Sequence, residues 1–235
     1  RQAEIILQLV NKKVAGVAMV PTTTSMPPVH QVQLRYLQKE NVPIVMLHRG
    51  VEGVKAPLIA QPFEEIGYRA AQRLIDAGHR HIAYLALSSQ FVNKEHVAGI
   101  RRALDTVGGV LPDESIKLFE IMQQEDVANQ MPVLEATLRQ MLSQPVEQRP
   151  SGIICSFDYL AECVLDLLRR WGVSVPGELS IVSFGGAWRS NVLSEQLSAV
   201  TVDEREVGQR AVDVLSQLVR GSLLIEQENR WVMEL

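Results

Sequence analysis

The chain has 235 residues, 46% of them hydrophobic and 21% charged, with a formal net charge of −4. That balance is the globular one and excludes disordered and fibrous classes; the length suits one large α/β domain or two smaller lobes. No apolar run reaches the ~18 residues that a membrane span needs. The charge inside the opening Arg-Gln-Ala-Glu-Ile-Ile-Leu is unlike a signal peptide, and the acidic balance shows no basic face for nucleic acid.

Helix and strand alternate from end to end. Residues 3–13 set Ile5, Ile6, Leu9 and Val10 on one face at helical spacing. The apolar run 14–20, closed by Pro21, reads as a buried strand, 29–40 as an amphipathic helix, and 43–47 and 57–60 as two more strands. Residues 64–77 are a strongly periodic helix ended by Gly78, a residue at ease in the left-handed cap conformation. A strand at 82–87 follows. The second half continues with helix 93–107, strand 116–121, helix 128–142, a polar loop at 145–150 and strand 152–155. Helix 159–171, stopped by Gly172, then leads to strands 179–184 and 198–202 and helix 206–219. Continuous apolar strands between amphipathic helices specify a mainly parallel sheet covered on both faces, and right-handed crossovers make the lobes doubly wound. The expected class is α/β. Cys155 and Cys163 have neither zinc-knuckle nor redox-pair spacing and read as free buried thiols.

Four segments carry a resemblance to a known family. They are GHRHIAYLAL at 78–87, HVAGIRRAL at 96–104, GIICSFDYLAECVLDLLRRWGVSVPGELSIVSFGG at 152–186, and LSAVTVDEREVGQRAVDVLSQLVRG at 197–221. In that order they are similar to the periplasmic-binding-protein-like, effector-binding domain of lactose/galactose-repressor transcription regulators. The run 172–182, GVSVPGELSIV, is the most specific. The resemblance implies two doubly wound parallel-sheet lobes joined by three crossings, near residue 88, near 200 and at 223–228. The N-terminal lobe is expected in 1–87 plus 203–220, and the C-terminal lobe in 88–198 plus 224–235. It also implies a helix-turn-helix head, a hinge and a strand–helix–strand ahead of residue 3. The first lobe is therefore expected to be incomplete at its N-terminus, with a strand edge open to pairing.

In such lobes ligands are expected in the cleft where strand C-termini face each other, since loops there leave polar groups and helix N-termini free. That criterion selects Thr22 and Thr23 after the first strand, His48 and Arg49 after the second, and Gln61 and Phe63 after the third. From the other lobe it selects Lys94, His96, Phe157, Asp158, Gly185, Trp188 and Arg189. Each also reads as an ordinary loop residue. Three positions depart from the family: His96 stands for its effector-clamping Arg, Phe157 for the Asn before the retained Asp158, and Gly185-Gly186 for its Asp-Asp. The ligand-binding set is Thr22, Thr23, Arg49, Gln61, Phe63, His96, Phe157, Asp158, Trp188 and Arg189. With aromatic groups in place of polar anchors, the ligand is expected to be flatter, less hydroxylated or anionic. It would stack on Trp188 among Phe63 and Phe157, with Asp158, Arg189 and Gln61 orienting it. His96 adds a titration near neutrality. The resemblance makes His79 a structural residue at a helix end rather than half of a metal pair with His81. Without a phosphate-binding glycine run or a nucleophile with its partners, no cofactor, metal or enzymatic activity is expected.

The chain is accordingly expected to be the ligand-sensing and dimerisation domain of a cytoplasmic DNA-binding regulator. It would take a sugar or related effector, reach operator DNA through a separate head, and form a homodimer away from any membrane. A periplasmic sugar receptor feeding a transporter is the alternative, and an upstream signal peptide would favour it. By its charge alone the 235-residue chain is predicted to show no sequence-specific DNA binding, which a gel shift checks.

Overall fold

Residues 2–21, 29–88, 92–119, 127–185, 197–223, 229–233 and 235 are described by the structure, a computed structural model. In chain order the elements are α1 (Gln2–Asn11), β1 (Val17–Met19), α2 (Val29–Lys39), β2 (Ile44–His48), β3 (Leu58–Ala60), α3 (Phe63–Asp76), β4 (Ile82–Leu87), α4 (Asn93–Asp105), β5 (Ile116–Phe119), α5 (Val127–Leu142), β6 (Gly152–Cys155), α6 (Asp158–Arg170), β7 (Ser180–Phe184), β8 (Ser198–Val200), α7 (Glu204–Val219) and β9 (Arg230–Val232). The chain divides into two units, one drawing on 1–62 and 202–234, the other on 63–201 and 235. Both have parallel sheets, as continuous apolar strands require.

Unit 1 has the strand order β1-β2-β3-β9. Helices α1 and α2 bury Ile6, Leu34 and Leu37 against Val17, Ile44 and Met46 of the strands. Helix α7 runs along β1, β2 and β3 with Val207, Ala211, Val214 and Leu218 buried. Its start is fixed by Asp203, whose carboxylate accepts from the backbone N–H of Arg205 (2.9 Å) and Glu206 (3.1 Å), an N-cap that satisfies two otherwise orphaned donors.

Unit 2 has the strand order β5-β4-β6-β7-β8. Strand alternation sorts its side chains onto two faces. Ala83, Leu85, Ile153, Cys155 and Ile181 pack with Leu134 and Leu138 of α5 and Leu160, Val164 and Leu168 of α6. The intervening positions face α3 and α4. Those two helices cross very closely: a Cβ on Gly67 would overlap the backbone of His96, and one on Gly99 would overlap the carbonyl of Glu64. Gly99 is the glycine of the HVAGIRRAL word, so backbone contact between helices is what that position requires.

The boundaries differ from those expected. Strand β4 sits between β5 and β6 in unit 2, and α3 goes with it through the glycine crossing; the chain passes from one unit to the other at 62/63 rather than near 88. At the other end β9 pairs in parallel with β3, placing Trp231 opposite Ile59, so 230–232 belongs to unit 1 and not to the second lobe. An apolar strand has the same sequence signature in either sheet; here helix packing assigns it.

Gly99→Ala is predicted to cost roughly 3 kcal/mol, because the clash is with backbone that cannot rotate away. Gly208→Ala, on the exposed side of α7 with nothing within 4 Å of its Cβ position, should instead stabilise by about 0.5–1 kcal/mol. Urea unfolding of both variants checks the opposite signs.

Candidate functional site

Of the expected ligand-binding residues, Thr22, Thr23, Trp188 and Arg189 lie outside the described residues, as does Gly186. The others occupy the strand C-terminal ends of one unit or the other.

In unit 1, β2 ends at His48 in the left-handed conformation (φ 66°), and the chain turns sharply there. The turn brings Arg49 back towards the end of β1, where its Nε and Nη2 donate to the Pro21 carbonyl at 3.2 and 2.6 Å. Burial lowers the pKa of Arg49 from its ordinary value. Gln61, just past β3, donates from Nε2 to Glu204 Oε1 (3.3 Å), and His48 Nε2 lies 3.5 Å from Glu204 Oε2. Glu204, at the start of α7, therefore joins the ends of β2 and β3. It was not among the expected residues, and no local sequence signal marks it.

In unit 2, Asp158 is the first residue of α6, where a carboxylate is favoured by the helix dipole. Ser183 Oγ donates to its Oδ1 at 2.7 Å. Gly185 has φ +115°, and a Cβ there would sit 2.7 Å from Asp158 Oδ2. Glycine is thus required beside this carboxylate both by conformation and by space, which accounts for the first residue of the Gly185-Gly186 departure.

His96 is placed differently from the expectation. Only 4% of it is exposed, and it belongs to the buried face of α4 with Ile100, Ala103 and Leu104. Its Nδ1 is 3.0 Å from the Tyr84 hydroxyl; Phe63 meets it edge-on at 5.7 Å and Phe184 is tilted against it at 4.5 Å. The Tyr84 hydroxyl also donates to Asn93 Oδ1 (3.0 Å), and Asn93 Nδ2 donates to the Leu87 carbonyl (2.8 Å). Burial pushes the His96 pKa down to about 4, so it is neutral at physiological pH and adds no titration near neutrality. Burial likewise pushes the Tyr84 hydroxyl up.

Phe157 also departs from its expected place. It continues the Ile153 and Cys155 side of β6 in an extended conformation, and so turns to the α5 and α6 face. There it packs on the apolar core and lines a narrow cleft with Phe119, Met131, Leu134 and Cys163. Phe63 and Phe157 therefore lie on opposite faces of the sheet and do not form one aromatic wall. Ser156, one residue earlier, falls on the α3 and α4 face, where its buried Oγ lies near the Tyr84 hydroxyl without a hydrogen bond of normal geometry among the described residues. Lys94 is exposed on α4.

Tyr84, Asn93, Ser156 and Ser183 were not picked out from the sequence. Tyr84 had a signal: a lone hydroxyl inside the aliphatic word IAYLAL must find a partner if it is buried. His79 has both ring nitrogens on serines, Ser151 Oγ at 2.9 Å and Ser180 Oγ at 2.8 Å, a structural role tying the end of α3 to the starts of β6 and β7. Cys155 and Cys163 are not disulfide-bonded; the first is buried and the second half-buried. Among the described residues, no group of three or more His, Cys, Asp or Glu side chains fits a metal, and no helix is long and apolar enough to cross a membrane.

Residues 71–234 match the family described as periplasmic binding protein-like domain. The chain is 24% identical over 219 residues to the arabinose metabolism transcriptional repressor of Geobacillus stearothermophilus, covering 93% of this chain and 58% of that protein. A LacI-family regulatory protein from Chloroflexus aggregans superposes with a TM-score of 0.79 at 22% identity, covering 99% of this chain and 78% of that one. The transcriptional regulator CelR in complex with cellobiose gives a TM-score of 0.75 at 20% identity over 98% of this chain and 66% of that one.

The burial of His96 makes a pH prediction. Its folded pKa of about 4 lies below the unfolded value of 6.5, so the unfolded chain binds the extra proton between those values. The contribution is complete above about pH 6.5 and is lost as pH falls towards 4, with a slope approaching ~1.4 kcal/mol per pH unit. Urea unfolding at pH 7 and pH 5 should show this loss, and His96→Phe should flatten the slope by about one proton; an unchanged slope would contradict the buried neutral imidazole.

Proposed function

Since the chain belongs to the periplasmic binding protein-like domain family, we propose that it is the small-molecule-sensing domain of a transcription regulator of the lactose/galactose-repressor type. The observation that carries the ligand site is the preparation of Asp158. Its carboxylate lies at the strand C-terminal end of unit 2, oriented by Ser183 and given room by Gly185. Open α/β sheets bind ligands outside the carboxyl ends of their strands, where loops and helix starts leave polar groups available. Unit 1 offers Arg49, Gln61 and His48 at the corresponding ends of its own strands.

The ligand is a neutral sugar or related polyol, in place of the flatter, less hydroxylated or anionic one expected from the residue types alone, because Phe63 and Phe157 do not share a face and a carboxylate is set at the strand ends. A fixed carboxylate accepts hydroxyl donors and repels anions. The relatives point the same way, one concerned with arabinose metabolism and another held with cellobiose. Phe63 and His96 support the site from within unit 2, and Trp188 and Arg189, which follow β7 in sequence, supply the stacking platform and a donor. The intact protein acts as a homodimer and reaches operator DNA through a separate head. Ligand and operator affinity are then coupled reciprocally, because a ligand shifts only those equilibria whose two states it binds differently.

A melting-temperature screen of L-arabinose, cellobiose, other neutral sugars, sugar acids and nucleosides tests this reading. A neutral sugar is expected to raise the Tm of the wild type, and Asp158→Ala and Trp188→Ala are each expected to weaken its binding at least about tenfold. Equal binding by wild type and Asp158→Ala, or a response confined to sugar acids or nucleosides, would sink it.

A further inference from the structure

Strand β4 changes partner along its outer edge. At His81 the chain bridges Val110 in parallel, and from Tyr84 onward it pairs with β5, beginning at Ile116. Residues 111–115, between those partners, lie outside the ladder and leave the sheet through a 3-10 turn at Asp113–Ser115. Opposite them are the end of α5 and the turn after it, in which the backbone N–H groups of Gln148 and Arg149 donate to the Pro145 carbonyl at 2.8 and 2.9 Å. Between these two walls is a surface cavity of about 530 Å³, within the ~300–1,000 Å³ usual for small-molecule sites. It opens at the end of the unit 2 sheet where strands begin. The end that carries Asp158 is one strand length away, about 20 Å for the six residues of β4.

The cavity holds charges of both signs that do not meet. Lys117 on β5 is half-buried, Glu114 and Glu147 are exposed at the rim, and none of the three forms an ion pair among the described residues. Two further polar groups are unsatisfied in its wall. His81 Nε2 has no hydrogen-bond partner among the described residues, and neither has the hydroxyl of Ser115, a residue only 6% exposed. Met141 and Val110 add apolar surface, and Gln140 and Gln144, four residues apart where α5 ends, add two amides. A sugar would leave both kinds of charge unmatched, and an ion of one sign would match only half of them. A zwitterion matches both, because each end forms a charge-assisted hydrogen bond with a group of opposite sign. We propose that this cavity is a second small-molecule site and that it takes a free α-amino acid. The carboxylate lies on Lys117, the ammonium on Glu114 and Glu147, and the side chain against Met141 and the glutamine amides. His81 suits either end of such a ligand, since an imidazole nitrogen accepts from an ammonium in one tautomer and donates to a carboxylate in the other. The site is independent of the sugar reading, which concerns the opposite ends of the same strands.

Calorimetric titration of the full 235-residue chain with the common L-α-amino acids tests the proposal. At least one is expected to bind with a Kd below about 1 mM. Its N-acetyl and carboxamide derivatives, each lacking one charge, should bind at least about tenfold more weakly than the parent. Lys117→Met and Glu147→Gln should each weaken the parent by a similar factor. An unchanged Tm shows that either variant is folded; should one not fold, the two derivatives decide on the wild type alone. Amide correlation spectra of the labelled chain locate the site: signals of residues 110–117 and 140–148 should move on addition of the amino acid, and those of 156–158 and 185 should stay. Absence of binding by every amino acid, binding undiminished by the loss of either ligand charge or by either substitution, or shifts confined to 156–158 and 185 would each overturn the proposal. The sugar-sensing domain stands in all of these cases, because its own screen reads Asp158.

Discussion

The architecture of unit 2 depends on how closely α3 and α4 approach each other. Their spacing is set by absent side chains, Gly67 against the His96 backbone and Gly99 against the Glu64 carbonyl. Ion pairs decorate the same crossing, with Arg102 reaching Glu64 at 2.6 Å and Glu65 at 2.9 Å and lying 4.6 Å over the Tyr68 ring. Those groups are about half exposed, and exposed pairs contribute only ~0.2–1 kcal/mol. The glycines therefore fix the distance, and the charges follow it. Because Gly67 meets the backbone of His96 itself, the crossing also fixes the height at which that ring enters the core, level with Tyr84 on β4 and Phe184 on β7.

A second constraint, strand alternation, then divides one strand end into two environments. At the end of β6, Phe157 turns to α5 and α6 and Ser156 to α3 and α4; at the end of β7, Ser183 joins Asp158 while Phe184 joins Tyr84 and His96. The acidic group and the imidazole are thus oriented by different layers of the same sheet. Asp158 depends on β7 and the start of α6, whereas His96 depends on the helix crossing. A substitution in one set leaves the supports of the other intact, so their effects on stability should be close to additive.

Much of this was legible in the sequence. Periodicity gave nearly every element within a few residues, and the parallel class followed from strands apolar along their whole length. What escaped was what local pattern does not encode. An apolar strand carries no label for its sheet, so β4 and its helix were assigned to the wrong side of the first passage, and the short β9 was not seen at all. The resemblance puts a ligand-clamping group at His96, inside the helix expected at 93–107. Helical phase argued otherwise: His96 is one turn before Ile100 and two before Ala103, on the face that α4 buries. Phe157 is expected in the ligand site for a similar reason, although counting by twos from Ile153 and Cys155 places it in the core. Partners distant in sequence, such as Glu204 for His48 and Gln61, leave no local trace.

Two buried polar atoms without a hydrogen bond of normal geometry decide how much weight such features carry. Ser156 Oγ and His81 Nε2 are both in that state, and each costs on the order of 1–3 kcal/mol relative to a satisfied or apolar group. An alanine at 156 would avoid the cost, so stability of the fold alone does not explain the serine. The same reasoning applies to His81, however, so an orphaned group by itself does not mark a ligand site; its surroundings decide, and they differ. His81 precedes β4, at the end of the sheet where strands begin, in the wall of a cavity shared with Lys117 and Glu114, the second of which opposes the lowering of its pKa by burial. Ser156 follows β6, at the end where strands finish and helix starts expose their amides, beside a hydroxyl–imidazole–amide network whose other bonds are made.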